Sequence, residues 1–70
     1  MIVYPIPILS PKQYEVLVHM ADGLTTKDMS KRLHVSTHTV KNTKYSLYKR
    51  MGVHNGEQAI AMAFRKGWVK

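Results

Sequence analysis

The sequence predicts an all-α fold of four helices, and three features predict it. Four stretches open on a residue suited to an N-cap: Ser10, Thr25, Ser36 and Asn55. Their short polar side chains accept from backbone N–H groups that the first helical turn leaves unpaired. Each stretch then carries apolar residues at helical spacing. Each ends at a breaker or turn, namely Gly23, His34-Val35, Gly52-Val53-His54 and Gly67.

Residues 1–8 precede the first cap. They alternate apolar residues with Pro5 and Pro7, which fix φ and remove donors, so an extended arm is expected there. Helix 1 has a complete start signal. Ser10 is the N-cap, Pro11 sits at N1, and Gln13 at N3 reaches back to the Ser10 backbone as a capping box. Leu9 and Tyr14 occupy the two positions of a hydrophobic staple. The expected core stripe is Tyr14, Leu17, Val18 and Ala21, widened by Val16 and Met20. Gly23 stops the helix.

Helix 2 starts at Thr25, with Asp28 at N3, and runs to about Leu33. Met29 and Leu33 face the core, and Ser30 is small enough to let a neighbouring helix approach. After the turn at His34-Val35 comes a longer basic helix, over about 37–51, capped by Ser36. With Val40 at the centre of one face, Thr43, Leu47 and Met51 fall on the same side at about 100° per residue. His38, Asn42, Tyr45 and Lys49 fall opposite, flanked by Lys41 and Ser46. Helix 4 is expected over about 56–66, capped by Asn55 with Gln58 at N3. Its apolar residues Ala59, Ile60, Ala61, Ala63 and Phe64 cover an arc of about 200°, wider than one packing face needs. Together with Trp68 and Val69, this points to a second surface for a partner; the plainer alternative is alanines serving as good helix formers on a solvated face.

The chain has 70 residues, a formal net charge of +7 and no cysteine. One small core of this size is marginal unless helix packing or a partner subunit adds to it. Disulfides and thiolate metal sites are excluded. From Lys27 to Arg50 the only acid is Asp28, against Lys27, Lys31, Arg32, Lys41, Lys44, Lys49 and Arg50. Such a stripe suits a phosphate backbone. No apolar run approaches the roughly 20 residues of a membrane span, and Met1–Leu9 lacks the basic start of a signal peptide. A reducing cytoplasm is the expected location. His34 and His38 stand four apart with no carboxylate or thiol near them in sequence, so no metal is expected. His19 reads as a helix-surface or half-core residue rather than a ligand. The four acids show no spacing suited to acid–base work, so no enzyme, cofactor or small-molecule ligand is expected.

A short helix, a three- or four-residue turn and a longer basic helix make up the helix-turn-helix pattern, whose second helix enters the major groove of double-stranded DNA. Asn42 can pair bidentately with adenine and Lys41 can donate to guanine. Tyr45 either reaches a phosphate or thymine methyl, or covers Tyr48. His38 shares that base-facing side. Ser36, Thr37, Thr39 and the free N–H groups at the helix start suit a phosphate, or else serve only as caps. Lys27, Lys49 and Arg50 are phosphate candidates, with a plain solvated cation as the alternative. Lys44 lies near the core edge, its stem expected to pack and its ammonium to reach solvent.

Several blocks carry a family resemblance. They are Leu9-Ser10-Pro11-Lys12 with Glu15-Val16-Leu17; Gly23-Leu24-Thr25 with Lys27 and Leu33; Val35-Ser36 followed by Thr39-Val40-Lys41; and Leu47, Met51-Gly52-Val53, Asn55 and Ala59. Leu9 to Val69 resembles the LuxR-type (GerE-like) DNA-binding domain of bacterial transcription factors. The resemblance implies a four-helix helix-turn-helix domain over 9–70, a homodimer formed largely through helix 4, and inverted-repeat operators. It implies that Lys41, Asn42 and Tyr45 face the major groove. The expected dimer residues are Ile60, Ala61, Phe64 and Trp68. A bacterial or phage origin is implied as well. Read as a complete protein, the chain resembles stand-alone members. On that reading an alternative is an interaction protein that heterodimerises through helix 4 with another LuxR-type regulator and antagonises it.

The sequence departs from the family pattern at Gln13, Ser30, Thr43 and Gly56. Gln13 and Gly56 stand where an acid and an arginine are usual, so an ion pair is lost as a pair and no buried charge is orphaned. In a helix interior Gly56 would cost about 1 kcal/mol.

Overall fold

The computed structural model of the chain describes residues 8–69. The expected arm lies outside the described residues except for Ile8, which is exposed. Four helices follow: α1 (Pro11–Ala21), α2 (Thr26–Leu33), α3 (Thr37–Met51) and α4 (Gly56–Arg65). Among the described residues the fold is all-α.

All four expected N-caps are in place. Ser10 and Thr25 each form a reciprocal capping box, with Gln13 and Asp28 respectively. The Asp28 carboxylate accepts from the Thr25 N–H at 3.1 Å, and its bonds to the Thr25 backbone and side chain hold its pKa below the usual carboxylate value. Ser36 caps α3 by accepting from the Thr39 N–H, and Asn55 caps α4 by accepting from the Gln58 N–H at 2.9 Å. The Gln58 side chain reaches one residue further back, to the His54 N–H.

α3 packs against each of the other three helices, and α4 also packs against α1. Leu17, Met29 and Leu47 are fully buried where these helices meet, with Val16, Val40, Ala59 and Ala63. Burying each large apolar side chain contributes about 1.5–3 kcal/mol. In α1 the buried centre is Val16, Leu17 and Met20, while Tyr14, Val18 and Ala21 are only partly buried. The stripe read from the sequence was centred too far round the helix, because α1 is packed on two sides, by α3 and by α4.

Two turns set the helix directions. His34 takes a left-handed conformation, φ 58°, and the Ser30 carbonyl accepts from both the His34 and Val35 N–H groups. A non-glycine residue there costs about 1–2 kcal/mol. Gly52, φ 73°, ends α3 at no such cost, and Val53 N–H closes the turn onto the Tyr48 carbonyl.

Two expectations are corrected. Val69 is buried in the chain's own core and is not part of a partner surface. The chain folds back after α4: Trp68 N–H donates to the Ala63 carbonyl and the Tyr14 hydroxyl to the Trp68 carbonyl at 3.0 Å. The Lys44 ammonium is not left to solvent, because it donates to Thr26 Oγ1 at 3.1 Å and ties α3 to the start of α2. Gly56 is the first residue of α4, where the helix was expected to begin, so the cost of an interior glycine does not apply in full. A Cβ at Gly56 would stand 3.1 Å from both Met20 Cε and the Tyr48 hydroxyl, side chains that fill its place. Gln13 Nε2, at the other departure, donates to Ser46 Oγ at 3.0 Å and links α1 to α3.

Candidate nucleic-acid interface

α3 carries the candidate surface. Its inner side buries Val40, Leu47 and Met51. At 3.6 residues per turn, that fixes the outward side as His38, Asn42, Tyr45 and Lys49, all exposed. Lys41 is exposed on one flank. Thr39 and Arg50 are exposed on the other, with Arg50 about 80° round the helix from Asn42. Thr43 is partly buried, its hydroxyl donating to the Thr39 carbonyl. α3 contains no acid.

Within this face the side chains pair along the helix. Asn42 Nδ2 lies 3.3 Å from His38 Nε2. Lys49 Nζ stands 5.0 Å from the centre of the Tyr45 ring, within cation–π range. Tyr45 is 66% exposed, so it does not act as a buried cover for Tyr48. Tyr48 itself is half-buried, and loss of solvent pushes its hydroxyl pKa above the ordinary value. Tyr45, Tyr48 and Lys49 form one wall of a surface groove that Val53 and His54 complete. His54 was missed in the sequence, since only the α3–α4 turn brings it beside Lys49.

The start of α3 offers a second set of donors. Ser36 Oγ accepts from the Thr39 N–H and donates to Thr39 Oγ1 at 3.0 Å, so its hydrogen bonds are used within the cap. Thr37 and Thr39 are exposed beside it. A helix N-terminus of this kind attracts anions. Lys27 is exposed near the start of α2, next to Thr26, which the Lys44 bond fastens to α3. The acid of that stretch, Asp28, is folded back onto its own cap. The cations around α3 are therefore not neutralised by it.

α4 shows a different surface. On α4, Ala59 and Ala63 are buried and Ile60 is half-buried, whereas Ala61 and Phe64 are exposed, Phe64 by 47%. Trp68 is half-buried next to them, with Lys66 Nζ 5.8 Å from its ring centre. Among the described residues no three His, Asp or Glu side chains gather as a metal site, and no helix is long and apolar enough to cross a membrane.

The model of the family "Bacterial regulatory proteins, luxR family" matches residues 7–63, most of the chain. The chain belongs to this LuxR family. Two relatives illustrate the match. The transcriptional regulatory protein DegU of Brevibacillus brevis is 35% identical over 66 residues, 94% of this chain and 28% of DegU. The transcriptional regulatory protein DesR of Bacillus subtilis is 34% identical over 62 residues, 89% of this chain and 31% of DesR. The chain thus spans under a third of the length of these curated relatives. What it shares with them is a LuxR-family helix-turn-helix domain of DNA-binding transcription regulators.

Proposed function

We propose that this chain is a sequence-specific transcription regulator that binds inverted-repeat DNA as a homodimer, with residues 9–70 as its DNA-binding domain and the cytoplasm as its location. The observation that carries the reading is the outward face of α3, where donors, an amide and cations are exposed together with no acid among them. A helix presenting such a face has the width and chemistry for the major groove. Lys41, Asn42, Tyr45 and His38 are the base-reading group. Lys27, Ser36, Thr37, Thr39, Lys49 and Arg50 are the phosphate group, with Ser36 acting through its cap. Ile60, Ala61, Phe64 and Trp68 are the homodimer surface, in line with the apolar side chains that α4 leaves uncovered.

Selection of bound sites from a random DNA pool at physiological salt tests this. Enrichment of an inverted repeat supports a dimeric reader and defines its half-site. Recovery of DNA with no shared sequence reduces α3 to a phosphate-binding helix.

Two substitutions separate the groups. Replacing Asn42 with Ala is expected to lower affinity for the selected site roughly 5- to 150-fold, the equivalent of one bidentate base contact of about 1–3 kcal/mol. Binding to unrelated DNA should change little; equal loss on both, measured by competition, removes Asn42 from base reading. Lys49→Ala is expected to weaken all DNA alike and make the plot of log affinity against log salt shallower by about one unit. An unchanged slope in a titration series would assign Lys49 only to the Tyr45 ring.

A further inference from the structure

The contact between Asn42 and His38 joins a base-facing amide to a ring with two alternative proton positions. An amide nitrogen carries only donors, so His38 Nε2, 3.3 Å away, has to accept. That places the ring proton on Nδ1. If the proton sat on Nε2, the amide would have to turn over and offer Oδ1, and its donor and acceptor ends would exchange places. Among the described residues the Asn42 amide has no other side-chain partner. With the ring proton on Nδ1 this contact favours the amide turned with its nitrogen toward His38.

The orientation matters for reading a base. A bidentate contact to adenine uses Oδ1 and the N–H beside it. The second N–H of the same nitrogen points back toward the side chain's own stem. His38 stands four residues N-terminal to Asn42, one turn back on the same face, the direction in which helical side chains lean. A bond from the second N–H to His38 leaves the adenine-reading edge intact and fixes its plane.

We infer that His38 is a positioning residue for Asn42, holding the amide in the orientation that reads adenine and adding to specificity without itself touching the base. This rests on the proposed base-reading role of α3, and within that group it narrows the part of His38 from a base contact to support of Asn42. It differs from a direct base contact by His38 in what should replace the ring. Gln at the same position supplies an acceptor at i,i+4 to an asparagine. Lys supplies charge and donors but no acceptor.

The test uses the whole chain and its His38→Ala, His38→Gln, His38→Lys and Asn42→Ala variants, at one mildly alkaline pH. First, nitrogen NMR of the free protein reads the His38 tautomer. The expected result is a ring enriched in the Nδ1–H form, relaxing toward the Nε2–H form in Asn42→Ala. Second, binding to the selected site is compared with binding to versions in which each base pair is replaced in turn. His38→Ala should lower discrimination roughly threefold to tenfold, the effect of leaving one polar side chain to be ordered on binding. The loss should be confined to the base pair that Asn42→Ala also affects. His38→Gln should restore it and His38→Lys should not.

Rescue by Lys and not by Gln would overturn the inference in favour of a phosphate contact. Unchanged discrimination in His38→Ala, alongside its loss in Asn42→Ala, would overturn the inference and leave the base-reading role standing. If Asn42→Ala affects no base pair, that role fails and the inference falls with it. A ring in the Nε2–H form in the wild-type chain would overturn the inference without reference to DNA.

Discussion

Replacing Leu47 with Ala is expected to destabilise the domain by about 2–5 kcal/mol, the range for emptying a fully buried leucine site. Leu47 is 0% exposed and lies on α3, the helix that packs against all three others. A cavity there cannot close by movement of α1 or α2 alone, since each is already fixed to α3 by a hydrogen bond. Gln13 bonds Ser46 from α1, and Thr26 accepts Lys44 from α2. Domains are typically stable by about 0.05–0.15 kcal/mol per residue, so a chain this short holds roughly 4–10 kcal/mol in total. The substitution removes up to half or more of that. At about 4–8 °C per kcal/mol for domains of this size, Tm should fall by roughly 8–40 °C. Leu47→Met, which conserves volume, should cost under about 1.5 kcal/mol. Thermal unfolding by circular dichroism, at one fixed protein concentration so that any dimer contributes equally, makes the comparison. A fall of only a few degrees for Leu47→Ala would mean that the core is not centred on α3.

The helices were legible because their starts are local. Ser10, Thr25, Ser36 and Asn55 each bond a backbone N–H three residues away, and such a bond depends only on neighbours in sequence. The outward face of α3 was legible for a related reason, as periodicity alone puts Asn42 opposite Val40 and Leu47. What was not legible depends on residues distant in the chain. Val69 looked free because its burial requires the fold-back after Gly67, which the Tyr14 hydroxyl holds from the far end of the sequence. The centre of α1 shifted from Tyr14 and Val18 to Val16 and Met20 because two helices, not one, lie against it. His54 joined the candidate surface only through the geometry of the α3–α4 turn. The His38–Asn42 and Tyr45–Lys49 pairs stand between these cases. Both have i,i+4 spacing and were open to sequence reading, but spacing does not say which partners meet.

Phe64→Glu is expected to weaken the proposed homodimer by about 3–5 kcal/mol, the cost of burying a charge without a partner. That corresponds to a roughly 100- to 5,000-fold weaker dimer. The folded monomer should survive. The Phe64 ring is already 47% exposed on α4, and Glu is a good helix former. Sedimentation at micromolar concentration should then give a dimer for the wild-type chain and a monomer for the variant, with the circular dichroism spectrum retained. DNA binding separates the two surfaces more sharply. Phe64 lies on α4 and the proposed base-reading group on α3, so affinity for an isolated half-site should be unchanged. Affinity for the complete inverted repeat should fall toward that of the half-site, because the second half-site no longer recruits a tethered partner. A wild-type chain that sediments as a monomer, and binds the repeat no better than the half-site, would overturn the homodimer. The uncovered face of α4 would then belong to a heterodimer, and another LuxR-family regulator should bind the wild-type chain but not Phe64→Glu. If Phe64→Glu instead lowers half-site affinity as well, α4 and α3 are coupled through the core that both share, and the substitution is acting on the fold of the reading helix.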